Sequence, residues 1–246
     1  MSHHPDFQFL QGAESYATDL WRSIRIWSEF RKGFKKLRHI ENCVTFFGSA
    51  QFDQDNIFCE MAYDTAYKMG KAGHSIMTGG GPGIMEAANR GAQDAGALSI
   101  GCNIKLPSEQ EPNKFIDIDV TFNYFFIRKV MLMKYSKAFV LFPGGYGTMD
   151  EIFEVANLMY TGKVCDFPVV VMGSDYWENL REFIDNTMIE YKTIHEKDSH
   201  FAHMTDDPQE ALNLIRIQCI GEKIYRTPYR YYDTLFQHYP LSSETC

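Results

Sequence analysis

Between residues 43 and 218 short, continuously apolar runs alternate with longer amphipathic ones, and this alternation restricts the fold more than any other feature of the chain. CVTFFG (43–48), HSIMTGG (74–80), ALSIGCNI (97–104), IDIDVTF (116–122), KAFVLFPGG (137–145) and FPVVVMG (167–173) read as strands. Residues 56–71, 83–95, 124–136, 148–160, 176–191 and 205–218 read as helices. In the last of these Asp207 is placed to cap, Pro208 fits the first helical position and Glu210 the capping-box position. Strands that are apolar along their whole length are buried on both faces. The expected fold class is therefore α/β, a Rossmann-like parallel sheet with helices on both faces.

That sheet makes one domain, 41–221, between an N-terminal extension, 1–40, and a tail, 222–246, that has no readable period. Within the extension Leu20, Ile24, Trp27, Phe34 and Leu37 recur at helical spacing among Arg22, Arg25, Arg31, Lys32, Lys35 and Lys36. This predicts an amphipathic helix over 14–37 with a solvated basic face.

Two strands run into glycine turns that open helices. "TGGGPGIMEAANRGA" (78–92) is one and "AFVLFPGGYGTMDEIFEVANLMY" (138–160) the other. A helix start leaves backbone N–H groups without intrahelical acceptors, and the macrodipole favours an anion there. The two turns leave the carboxyl ends of their strands, the edge where open α/β sheets bind ligands, so they are expected to face one crevice. The first fails as a dinucleotide fingerprint, because Glu86 stands at the third glycine position, and the absence of GK[ST] excludes a nucleoside triphosphatase loop. Asp150 and Glu151, expected in the first turn of the second helix, have two readings. They complement the helix dipole, or Glu151 points along a bound nucleoside 5′-monophosphate to the ribose, where its charge stabilises an oxocarbenium ion.

A net charge of −8 argues against binding a nucleic-acid backbone, while leaving room for a small anion held by backbone amides. No apolar run approaches the ~18 residues of a membrane span, and the first residues do not resemble a secretory signal. The six cysteines are scattered without a CxxC pair and read as reduced thiols of a cytoplasmic protein. His200 and His203, near His195, lack further ligands at metal spacing, so no metal is predicted and the segment reads as a solvated loop.

PGGYGTMDE fits the pattern PGGxGTxxE and follows Arg128-Lys129 in "NYFFIRKVMLMKYSKAFVLFPGG". With "GGGPGIMEAANRGA", "FFGSA" (46–50) and "FPVVVMGSDYW", the chain resembles, over about 40–220, the Lonely-Guy family of cytokinin riboside 5′-monophosphate phosphoribohydrolases. The likeness is to its bacterial-type branch, also labelled "possible lysine decarboxylase". The resemblance implies hydrolysis of the N-glycosidic bond of purine nucleoside 5′-monophosphates, AMP-like or cytokinin, to free base and ribose 5-phosphate. It implies a homodimer or higher homo-oligomer; no cofactor is expected, and charge and composition leave neither nucleic-acid nor membrane partners expected. It places catalysis on Arg128 and Glu151 and the phosphate on Gly144, Gly145, Gly147 and Thr148. The rest of the nucleotide falls to Gly48, Ser49, Gly80, Gly81, Gly83, Glu86 and Lys129. Arginine does not readily lose a proton, so the role implied for Arg128 is hydrogen bonding and charge stabilisation. Many members carry MHxRK, whereas Phe125-Phe126-Ile127 precede Arg128 here. No lysine carries a motif that marks a pyridoxal-linked group. The alternative reading is a non-catalytic nucleotide-binding or carrier protein of the same fold.

Overall fold

The computed structural model describes residues 9–10, 12, 15–106, 111–164 and 167–225. Seven strands form one sheet: β1 (Cys43–Phe47), β2 (Ser75–Thr78), β3 (Ser99–Ile104), β4 (Ile118–Phe122), β5 (Ser136–Leu141), β6 (Val169–Val171) and β7 (His203–Met204). Their order is β4-β3-β2-β1-β5-β6-β7, and every neighbouring pair is parallel. The chain winds outward from β1 to β4, then crosses back to place β5 on the other side of β1. The carboxyl ends of β1 and β5 thus flank the point where the winding direction reverses, the position at which such sheets open a crevice.

Seven α-helices cover the sheet among the described residues: α1 (Tyr16–Leu37), α2 (Ile57–Lys71), α3 (Ile84–Asp94), α4 (Phe125–Lys134), α5 (Tyr146–Tyr160), α6 (Ser174–Glu182) and α7 (Pro208–Tyr225). Side chains alternate across a strand, so β1 sends Val44 and Phe46 to one face and Cys43 and Phe47 to the other. The first face packs on α2, α3 and α7 through Met69, Ala88 and Ile215. The second packs on α1, α4, α5 and α6 through Leu37, Met131, Val155 and Trp177. Burial on both faces is why these strands are apolar throughout.

The helix starts follow the expected chemistry. Ser15 caps α1 by accepting from the Thr18 amide at 3.3 Å, and Asn56 caps α2 by accepting from the Phe58 amide at 2.9 Å. Asp207 accepts from the Gln209 amide at 2.8 Å, with Pro208 as the first residue of α7. Glu210 does not close a direct capping box. It accepts from Thr205 Oγ1 at 2.5 Å, and that oxygen accepts from the Asp207 amide at 3.2 Å, so a hydroxyl stands between the two.

Several expectations need correction. On α1 the residues turned inward are Ile26, Phe30, Gly33 and Leu37, whereas Leu20, Ile24, Trp27 and Phe34 are exposed. The basic face is not wholly solvated either, because Lys32 and Lys36 donate to the Thr121 and Asp119 carbonyls at 2.7 and 2.5 Å and pin α1 to β4. The segment of His200 and His203, read as a solvated loop, contains β7, in which His203 pairs with Val170. The predicted helix 176–191 starts earlier and breaks at Glu182 into a π-helical turn, Phe183–Met188. The α7 helix runs past the boundary drawn at 221, and residues 226–246 of the tail lie outside the described residues.

Candidate active site

A cavity of about 340 Å³ opens at the carboxyl ends of β1, β2, β3 and β5. Gly48 and Ser49 follow β1, Gly79 and Gly81 follow β2, Asn103 and Ile104 end β3, and Gly145, Gly147 and Thr148 follow β5; all line it, as do Arg128 and Glu151. The two glycine turns therefore do face one crevice. Gly144, Gly80, Gly83, Glu86 and Lys129 are not among the lining residues.

The glycines divide into two kinds. A Cβ on Gly144 would lie 2.1 Å from Thr148 Oγ1, one on Gly48 2.7 Å from the Ile84 side chain, and one on Gly83 2.4 Å from the Ser49 carbonyl. These positions are small so that loop and helix can touch. Gly80 and Gly83 also hold φ of +76° and +65°, which L side chains rarely adopt. Gly145 and Gly147 differ, since a Cβ at either would meet nothing within 4 Å. Packing does not account for glycine there, and the space in front of them belongs to the cavity.

The two helix starts differ in the same sense. At α3 the Ile84 amide already donates to the Ser49 carbonyl at 3.1 Å, so that end is fastened to the β1 loop. At α5 the Thr148 amide donates to the Gly145 carbonyl at 3.0 Å, which leaves the Tyr146 and Gly147 amides as the groups a helix start offers to an anion. Of the predicted phosphate contacts, Thr148 lines the cavity with its amide already donated to Gly145.

Because α5 begins at Tyr146, Asp150 and Glu151 stand in its second turn instead of the first. The benefit of a carboxylate near a helix start fades beyond the first turn, which weakens the dipole reading for both. Their environments also separate: the Asp150 side chain is 61% exposed, while Glu151 is 6% exposed. Burial pushes the Glu151 carboxyl up to about 7, against the pull of Lys129 and Arg128 and with the push of Glu154 and Asp150.

Arg128, on α4, is part-buried beside the same cavity. Its Nε donates to the Cys102 carbonyl at 2.8 Å and its Nη2 to the Gly79 carbonyl at 3.5 Å. Burial lowers its proton affinity, and the charge of Glu151 raises it in part. Lys129 is turned from the cavity and holds Asp150 and Glu154 at 2.9 Å each. Glu86 stands in the first turn of α3, outside the cavity lining.

The sequence reading did not single out Asn103, Gly79, Met85, Ile104 or Leu106, all of which line the cavity, and did not assign Phe125, which also lines it, to the site. Asn103 is a polar residue in a buried strand and is engaged by Asp119. That break in an apolar run was the signal available. Among the described residues, no group of three His, Cys, Asp or Glu side chains is placed to hold a metal ion, and no helix is long and apolar enough to cross a membrane.

A parallel sheet whose winding reverses beside a glycine-bounded helix start defines a Rossmann-like protein with a ligand crevice at the switch point. The family model described as "Possible lysine decarboxylase" matches residues 85–215, a span that includes Arg128, PGGYGT and Glu151. The chain belongs to this family, the Lonely-Guy family of the sequence motif. "Cytokinin riboside 5'-monophosphate phosphoribohydrolase LOG3" of Arabidopsis thaliana is 31% identical over 159 residues, 63% of this chain and 71% of the relative. An uncharacterized protein of Archaeoglobus fulgidus is 33% identical over 134 residues, 51% of this chain and 85% of its own. Among solved structures, the molybdenum cofactor carrier protein of Chlamydomonas reinhardtii superposes with a TM-score of 0.56 at 21% identity, over 73% of this chain and 99% of that one. This last likeness is one of fold.

Proposed function

We propose that the protein hydrolyses the N-glycosidic bond of purine nucleoside 5′-monophosphates, AMP-like or cytokinin, releasing free base and ribose 5-phosphate. The observation that carries the reading is Glu151, a buried carboxylate in the wall of the cavity onto which the open Gly145 and Gly147 face. The relatives named as phosphoribohydrolases support it.

In this reading the phosphate rests on the free amides at the start of α5 and on the Thr148 hydroxyl, and the ribose extends toward Glu151. As the bond from C1′ to the base nitrogen breaks, its electron pair leaves with the base and positive charge develops on the sugar. The Glu151 carboxylate stabilises that charge, an effect of about 3–4 kcal/mol for a well-placed group in a site of this kind. Water then bonds to C1′. A carboxyl group that titrates near neutrality is suited to take the proton this water loses and to pass it to the base nitrogen that left with the electron pair, which gives the neutral free base and restores the carboxylate. Arg128, fixed by two carbonyls, hydrogen-bonds the substrate from the opposite side. Met85, Ile104, Leu106 and Phe125 give the base an apolar surface.

The assembly proposed with this function is a homodimer. Phe125, Phe126 and Val130 on α4 and Phe153 and Tyr160 on α5 are exposed, and Phe125 also lines the cavity, so a second copy on this face would adjoin the site. Met131 of the same helix belongs to the core. Light scattering should give a dimer or larger species at working concentration, and a monomer contradicts the proposal.

The activity is tested by incubating purified protein with AMP, GMP, IMP and a cytokinin ribotide and following base and ribose 5-phosphate. Equimolar release of the two from at least one substrate is expected. Nucleotide binding without release from any of them would favour the carrier alternative.

A further inference from the structure

The far side of α5 from the candidate active site borders a second cavity, of about 390 Å³. Ile152, the residue after Glu151, forms part of its floor with Val171 at the end of β6. Trp177 and Leu180 of α6 and Ile184 of the π-helical turn form a wall, and Phe201 and Met204 close the side toward β7. Ile152, Val171, Trp177 and Ile184 are all buried core residues, yet they leave this volume between them. Apolar walls that face open space rather than partner atoms lack dispersion contacts that an apolar guest supplies. The Trp177 indole N–H is already donated to the Met172 carbonyl at 3.0 Å, so the indole offers a guest its ring rather than a donor.

The polar lining is concentrated in Arg181, Asp185, Ser199, His200 and His203. Arg181 Nε lies 3.5 Å from Asp185 Oδ2, longer than the roughly 2.7–2.9 Å of a strong charge-assisted bond, and the Arg181 side chain is 63% exposed. Its guanidinium has further N–H groups in a fork that matches a carboxylate. The wall between is a π-helical segment, a winding that is rare and concentrated at functional positions.

We propose that this cavity is a second binding site, separate from the nucleotide crevice, for a small aromatic carboxylate: the ring lies against Trp177 and Ile184, and the carboxylate meets Arg181 at the mouth. The chain has three tryptophans, so Trp21→Phe with Trp27→Phe leaves Trp177 as the sole indole reporter, inside the wall itself. The probes are 4-bromobenzoate and its neutral isostere 4-bromobenzamide, whose bromine quenches a contacting indole.

Saturable quenching is expected, with a midpoint about tenfold or more lower for the carboxylate, as a charged hydrogen bond supplies. Arg181→Ala should bring the two midpoints together, and Ala202→Phe, which fills the cavity, should abolish saturation. Saturating AMP should leave the quenching unchanged. Quenching that rises linearly with either probe, survives Ala202→Phe in folded protein, or is displaced by AMP overturns the proposal. Should Ala202→Phe fail to fold, the exposed position decides: equal midpoints for the two probes before Arg181 is changed overturn it.

Discussion

Gly79 and Arg128 share one small volume: a Cβ on Gly79 would lie 2.0 Å from Arg128 Nη2 and 2.8 Å from Met85 Sδ. The guanidinium reaches the cavity by lying against bare backbone, and the Gly79 and Cys102 carbonyls hold it there. The first glycine of the GGG run is thus tied to a side chain almost fifty residues further along the chain.

Gly79→Ala should therefore displace Arg128 and lower kcat/KM for AMP by about 100-fold, the scale of losing one well-placed donor. Steady-state kinetics on variant protein with an unchanged circular dichroism spectrum checks this. Unchanged kinetics would remove Arg128 from the account in its present pose.

Gly147→Val tests the phosphate seat. A Cβ there meets no protein atom within 4 Å, so the fold should tolerate the change at a cost of about 1 kcal/mol or less. The added methyls occupy the space proposed for the phosphate, and AMP binding measured by calorimetry should weaken at least about tenfold. In the unaltered protein AMP should be turned over far better than adenosine, and equal turnover of the two contradicts a phosphate seat.

The pH dependence follows from the Glu151 carboxyl, raised by burial from 4.5 to about 7. Catalysis requires its ionised form, so kcat/KM should rise with pH through about 7, and Lys129→Met, which removes the principal charge favouring ionisation, should move that limb to higher pH. Stability runs the other way. The folded state binds the proton more tightly than the unfolded state, so the stabilising contribution is complete below about 4.5 and is lost as pH rises through about 7. Relative to Glu151→Gln, the unaltered protein should lose on the order of 3 kcal/mol between pH 4.5 and pH 8, measured by denaturant titration at each pH.

The strands and most helices were legible because burial on both faces writes itself as short apolar runs, and because Asp207-Pro208 carries its cap in the sequence. The two-residue β7 was not, since a pair of residues has no period. On α1 two sets of apolar residues compete at helical spacing, and the inner one is selected by Gly33 against Met131 and by the lysines bonded to β4. The site was legible where the glycine turn and Glu151 lie together in sequence. The resemblance assigns Lys129 to the nucleotide, but one helical step of about 100° from Arg128 turns it to Asp150 and Glu154. Gly79 and Asn103 are brought to the cavity by strand order, which no local pattern contains.

The most direct test of the central claim is the turnover of AMP by Glu151→Gln, with Asp150→Asn as its neighbour control. The glutamine keeps the shape of the side chain and removes its charge, so AMP should still bind while kcat falls by about 100- to 1,000-fold. Asp150→Asn, at an exposed position held by Lys129, should stay within about threefold of normal and change stability by less than about 1 kcal/mol. Near-normal turnover of AMP by Glu151→Gln would contradict the assignment of catalysis to the buried carboxylate.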